Sequence, residues 1–209
     1  MAVASNLLRL LEEIPSGVKL VAVSKFKPAE DIMAAYTAGQ RRFGENRPQE
    51  LAAKAAALPA DIEWHFIGHL QTNKIKFVIP YATLIESVDS LHLLEAISAA
   101  AVAQGRVADC LLEVHVAAEQ SKGGFTPEEA VAVAASVADY PGVRLRGIMA
   151  MATNTSDMAR VRADFRRARE VQLSCGLPEL SMGMSGDWRI ACEEGATIIR
   201  IGSAIFGSR

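Results

Sequence analysis

The stretch VSKFKP, residues 23–28, places a primary amine, Lys25, directly after the apolar run Leu20-Val21-Ala22-Val23. Such a run reads as a strand buried on both faces, and Pro28 supplies the fixed φ that suits a helix start. Lys25 is therefore expected at the carboxyl end of a strand, the edge where parallel α/β proteins bind ligands. There it is either a solvated lysine opening a loop or a nucleophile able to form a Schiff base with an aldehyde. A second kind of chemistry lies near the other end of the chain, in Gly183-Met184-Ser185-Gly186-Asp187 and Gly202-Ser203-Ala204. Each stretch combines glycine, which lets backbone N–H groups approach an anion, with a hydroxyl donor. They read as tight turns or as a phosphate cradle.

Arg200 stands amid Ile198, Ile199 and Ile201. A guanidinium in such company needs an anionic or polar partner. It either alternates outward against a helix carboxylate or faces a ligand inside the fold. Asn46 follows Glu45 at the end of a second strand and is a candidate hydrogen-bond partner for a ligand oxygen. His65 and His69 have the i, i+4 spacing of a helical metal pair but straddle a strand and a loop, which argues against one. His92 and His115 read as surface or core residues. Cys110, Cys175 and Cys192 are widely separated and odd in number, as expected of reduced, structural thiols.

The elements that must position these groups follow from periodicity and punctuation. Leu7, Leu8, Leu11 and Ile14 mark an amphipathic helix over 5–14, closed by Pro15-Ser16-Gly17. Eight strands are then expected, over about 19–24, 41–46, 64–68, 83–88, 110–116, 145–152, 179–183 and 197–201, the first seven each followed by a helix. Thr126-Pro127-Glu128-Glu129 combines a capping box with proline at the first helical position, and Asp89 is the expected cap of the helix bearing Leu91, Leu94 and Ile97. Eight such repeats predict a parallel sheet closed into a single (β/α)8 TIM barrel over residues 1–209, with an additional N-terminal helix. An eighth helix is nearly missing, so the helix over 5–14 is expected to cover Ile205 and Phe206. The alternative is an open doubly wound sheet. In the barrel, the last two loops form the usual phosphate site and share a rim with Lys25.

Of the 209 residues, 50% are apolar and 22% charged, enough for a sizeable core. A net charge of −2 gives no general attraction to nucleic acid or an anionic membrane, so any anion site must be local. No run approaches the length of a membrane span and no secretory signature opens the chain, so a cytoplasmic protein is expected. An aldehyde that also carries a phosphate would satisfy both Lys25 and the cradle, and pyridoxal phosphate is such a molecule.

VSKFKP, FGENRPQE, WHFIGHLQTNK, SKGGF, LRGIMAM, LSMGMSGDW and RIGSAIFG resemble, in order and spacing, the pyridoxal phosphate homeostasis proteins, whose barrel is similar to the N-terminal domain of alanine racemase. The resemblance implies an internal aldimine on Lys25 and a phosphate held by Ser185, Gly186, Gly202 and Ser203. It also implies Arg200 facing the pyridine nitrogen, with Asn46 and Met149 beside the ring. Members often carry an acidic residue where Gly186 stands and a longer N-terminal segment. The implied role is holding or delivering pyridoxal 5′-phosphate in vitamin B6 homeostasis, without a demonstrated reaction. Its implied protein partners are the apo-enzymes that use the cofactor, and the expected state is a monomer or weak dimer. A weak amino-acid racemase using Lys25 as its single base is the alternative. A cofactor-free Schiff-base aldolase acting on a sugar phosphate is a third.

Overall fold

A computed structural model describes residues 2–118 and 123–207. Its strands are β1 (Lys19–Val23), β2 (Arg42–Glu45), β3 (Glu63–Phe66), β4 (Ala82–Val88), β5 (Ala108–Val114), β6 (Val143–Ala150), β7 (Glu179–Ser181) and β8 (Ile198–Ile201). All neighbours pair in parallel and in sequence order, and β8 returns to β1 with Val21 opposite Arg200, so the sheet closes into a barrel. The doubly wound alternative is thereby excluded. The helices are α1 (Ala2–Glu13), α2 (Ala29–Thr37), α3 (Pro48–Ala57), α4 (Leu91–Ala103), α5 (Pro127–Ala135), α6 (Met158–Cys175), α7 (Trp188–Glu193) and α8 (Ser203–Phe206). Between β3 and β4 the connection is a 3₁₀ stretch, Thr72–Phe77, in place of an α-helix.

The apolar runs are explained by burial on both faces. Leu20, Ala22, Ile199 and Ile201 face outward beneath the helices, in the main core. Val21, Leu84, Leu111, Met149 and Ile198 meet inside the barrel in a separate apolar layer. Alternation then sends Arg200, two residues beyond Ile198, into the interior, where it is 5% exposed.

Helix punctuation follows the sequence with one shift. Thr126 and Glu129 form the reciprocal capping box. Ser90, rather than Asp89, caps α4 by accepting from Leu93 N at 3.3 Å, because Asp89 is engaged with His69 Nδ1 at 3.0 Å. The eighth helix is a single turn, and α1 lies over it: Asn6 Nδ2 donates to Ile205 O at 3.1 Å, and Leu7 and Ile205 are fully buried. Burying one such leucine is worth about 1.5–3 kcal/mol, which makes α1 the missing cover of the last strand.

Candidate binding site at the C-terminal rim

The turn after β1 is held from α3. Lys54 Nζ donates to Ser24 O at 2.8 Å and bridges Glu45 Oε1 and Glu50 Oε1, both at 2.7 Å. Ser24 Oγ donates to Glu45 Oε1 at 2.6 Å, and Phe26 N donates to Glu50 Oε1 at 2.7 Å. Burial pushes the Glu45 carboxyl up, against the hydrogen bonds from Lys54 and Ser24. Within this clamp Phe26 adopts φ +62°, a left-handed conformation costing a non-glycine residue about 1–2 kcal/mol. The clamp engages residues on either side of Lys25, while Lys25 itself pairs with no carboxylate among the described residues. Lys27 Nζ donates to Phe206 O at 3.0 Å and so ties this turn to the end of the chain.

Opposite the lysine stand the loops after β7 and β8. Met184 N donates to Asp187 Oδ1 at 2.6 Å, and Trp188 N to Met184 O at 2.9 Å, so the loop folds back on itself. The backbone N–H groups of Ser185 and Gly186 take no carbonyl in these turns. Gly202 lies so close to β1 that a Cβ there would stand 3.3 Å from Val23 Cβ and O. It starts α8, whose first N–H groups, on Ser203 and Ala204, have no acceptor within the helix.

Lys25, Ser185, Gly186, Arg200, Gly202 and Ser203 together line one cavity of about 360 Å³, with Val23, Lys27 and Met184 completing much of the wall. The amine and the predicted anion cradle thus open on the same rim. Among the described residues three cationic side chains and no carboxylate line this space, so it attracts anions although the chain is net negative. A groove of about 580 Å³ between α5 and α6 is larger but lies apart from these groups.

Two residues selected from the sequence fall outside the lining. Met149 packs in the apolar layer inside the barrel, 2% exposed. Asn46 sits against Gly68, and its buried Oδ1 accepts no hydrogen bond among the described residues. Ser121 and Lys122, from the SKGGF stretch, lie outside the described residues. His65 points into the barrel and His69 is exposed beside Asp89, so their rings do not converge.

Arg200 settles inward, and its partners come from strands rather than from a helix. Nη1 donates to Ser181 Oγ at 2.5 Å and Nη2 to Ala150 O at 3.2 Å, with Glu86 Oε2 3.6 Å away. Glu86 and Ser181 had not been picked out from the sequence. The signal was there in β4, where a glutamate two residues after inward Leu84 must share its face. No helix among the described residues is long and apolar enough to cross a membrane.

Comparisons place this geometry in a family. The family model described as alanine racemase, N-terminal domain, matches residues 1–209. A pyridoxal phosphate homeostasis protein of Aquifex aeolicus is 41% identical, covering 91% of this chain and 87% of that one. Its namesake from Pseudomonas aeruginosa is 44% identical, with 93% and 86% covered. The solved structure of PipY from Synechococcus elongatus without PLP superposes with a TM-score of 0.92 at 40% identity, covering 98% of this chain and all of that one. PipY with PLP bound gives 0.89 at 38% identity, with 98% and 100% covered. Alanine racemase from E. faecalis shares the fold, at a TM-score of 0.80 and 20% identity, and this chain spans 58% of it. The chain belongs to the alanine racemase N-terminal domain family and, within it, to the pyridoxal phosphate homeostasis proteins.

Proposed function

We propose that this protein binds pyridoxal 5′-phosphate at the C-terminal rim, through Lys25, and acts as a holder of the cofactor in vitamin B6 homeostasis. The observation that carries the reading is the one cavity onto which an amine, an inward arginine and two Gly/Ser loops converge. Its volume falls within the roughly 300–1,000 Å³ usual for small-ligand sites. When bound, the cofactor supplies an aldehyde that a primary amine captures as a Schiff base, together with a phosphate dianion. Lys25 is the capturing amine, set in a turn clamped on both sides of it. Ser185 and Ser203 offer hydroxyl donors, and the backbone N–H groups of Ser185, Gly186 and Ser203 offer further ones to the phosphate. Gly186 faces open space, so the absence of a side chain there leaves the cradle's donors in place.

Arg200 has five N–H donors, of which two are directed at Ser181 and Ala150. One of the remaining three would donate to the ring nitrogen of the bound cofactor. A guanidinium does not give up its proton and repels a second cation, so a ring nitrogen facing it would stay unprotonated and withdraw electrons weakly. Such a site favours keeping the cofactor over turning over amino acids with it. Apo-enzymes that need the cofactor are its recipients on this reading.

The test is to titrate the apoprotein with pyridoxal 5′-phosphate and follow the visible absorbance band. Wild type develops the band. Lys25→Ala loses it while keeping the wild-type circular dichroism spectrum, because the residue lies in a rim loop. A band of equal strength in the variant would move the covalent site elsewhere.

A further inference from the structure

From the cavity floor inward the barrel interior is charged, in contrast to the apolar layer nearer the other rim. Glu86, on β4, is fully buried; His65, Ser181 and Arg200, from β3, β7 and β8, are each 5% exposed or less. The four are bonded in series. His65 Nδ1 lies 2.5 Å from Glu86 Oε1, Ser181 Oγ donates to Glu86 Oε2 at 2.5 Å, and Arg200 Nη1 donates to Ser181 Oγ at 2.5 Å. Burial alone would raise the Glu86 carboxyl's affinity for a proton. The hydrogen bond and attraction of His65, the Arg200 charge and the Ser181 hydroxyl outweigh that and hold it below its ordinary range, so Glu86 is an anion at neutral pH.

An interior ion network of this kind is a poor device for stability. Desolvating the charges costs several kcal/mol each, and well-packed apolar residues of similar volume do as well or better. The layer formed by Val21, Leu84, Leu111, Met149 and Ile198 shows that this barrel can be filled that way. The charged layer coincides instead with a buried cation on the cavity wall, Arg200. Two other carboxylates lie within reach of its charge, Glu113 on β5 and Asp187 ahead of α7, but neither hydrogen-bonds the guanidinium.

We propose that Glu86 is a positioning residue for the cofactor: acting through Ser181, it fixes the Arg200 guanidinium with its free N–H groups toward the cavity. Its negative charge also offsets that of Arg200 and so supports protonation of the Schiff-base nitrogen. The inference rests on the cofactor reading above and assigns a role to a residue that does not line the cavity.

The experiment compares wild type with Glu86→Gln, full-length and loaded with pyridoxal 5′-phosphate. It reads the dissociation constant by equilibrium dialysis and the pH midpoint of the visible band. Glutamine keeps the shape and an acceptor oxygen but loses the charge. We expect binding weakened about tenfold and a pH midpoint lowered by about one unit, the scale of a unit charge acting roughly 12 Å away at an effective dielectric near 20. A variant with a lower unfolding temperature but wild-type affinity and midpoint would show a merely structural network and overturn the proposal. Should Glu86→Gln not fold, Ser181→Ala reports on the same link. It is expected to bind several-fold more weakly, and wild-type affinity would overturn the proposal. If the wild type itself binds no pyridoxal 5′-phosphate, the cofactor reading falls and this proposal with it. If it binds through Lys25 and neither variant differs, only the role of Glu86 falls.

Discussion

Gly183 has φ +91°, and a Cβ added to it would stand 2.6 Å from Ala191 Cβ and 3.0 Å from Trp188 Cα. Both obstacles are short and fixed, so the loop that presents Ser185 and Gly186 depends on the absence of a side chain there. Gly183→Ala should cost about 1–3 kcal/mol, measured as a lowered urea midpoint; a loss below about 0.5 kcal/mol would mean that the loop shifts freely. Other residues of the site were legible because their types are costly or unusual where they stand. Lys25 ends an apolar strand, Arg200 interrupts one, and glycine and serine recur in the last two loops. Glu86 was hidden because pairing it with Arg200 requires knowing which strands face each other across a closed barrel. Phe26's left-handed backbone was hidden too, since the carboxylate that holds it, Glu50, comes from another element.

At the scale of elements, the alternation of apolar strands and helices was readable throughout, because strands buried on both faces leave short unbroken apolar runs. The capping box at Thr126 was readable because its reciprocal bonds are local. The α4 cap moved from Asp89 to Ser90 for a non-local reason, the engagement of Asp89 by His69. The stretch Thr72–Phe77 between Gln71 and Pro80 is 3₁₀, where the sequence predicts a short helix. The docking of α1 over α8 followed from counting apolar surface, since Ile205 and Phe206 had no helix of their own to cover them. That docking also braces the cradle, because α8 begins at Ser203.

For the whole molecule, closure of the barrel brings Lys25, Ser185, Gly186, Gly202 and Ser203 to one rim, and it also imposes a pH dependence. Glu113 faces the crowded interior, where burial and the nearby Asp89 push its carboxyl up to about 7, against the attraction of Arg200 and His69. The folded chain therefore holds this proton where the unfolded chain, with an ordinary value of 4.5, has released it. Stability conferred by protonated Glu113 is complete below that lower value and declines as pH rises toward 7. Unfolding midpoints of the apoprotein against pH should fall more steeply across this window in wild type than in Glu113→Gln; equal slopes would contradict the assignment. The central claim is that an amine near the start of the chain and an anion cradle near its end hold one molecule. Its most direct measurement is borohydride reduction of the protein loaded with pyridoxal 5′-phosphate, followed by peptide mapping. The account predicts a single pyridoxyl adduct on Lys25, and an adduct confined to any other lysine, or none, would contradict it.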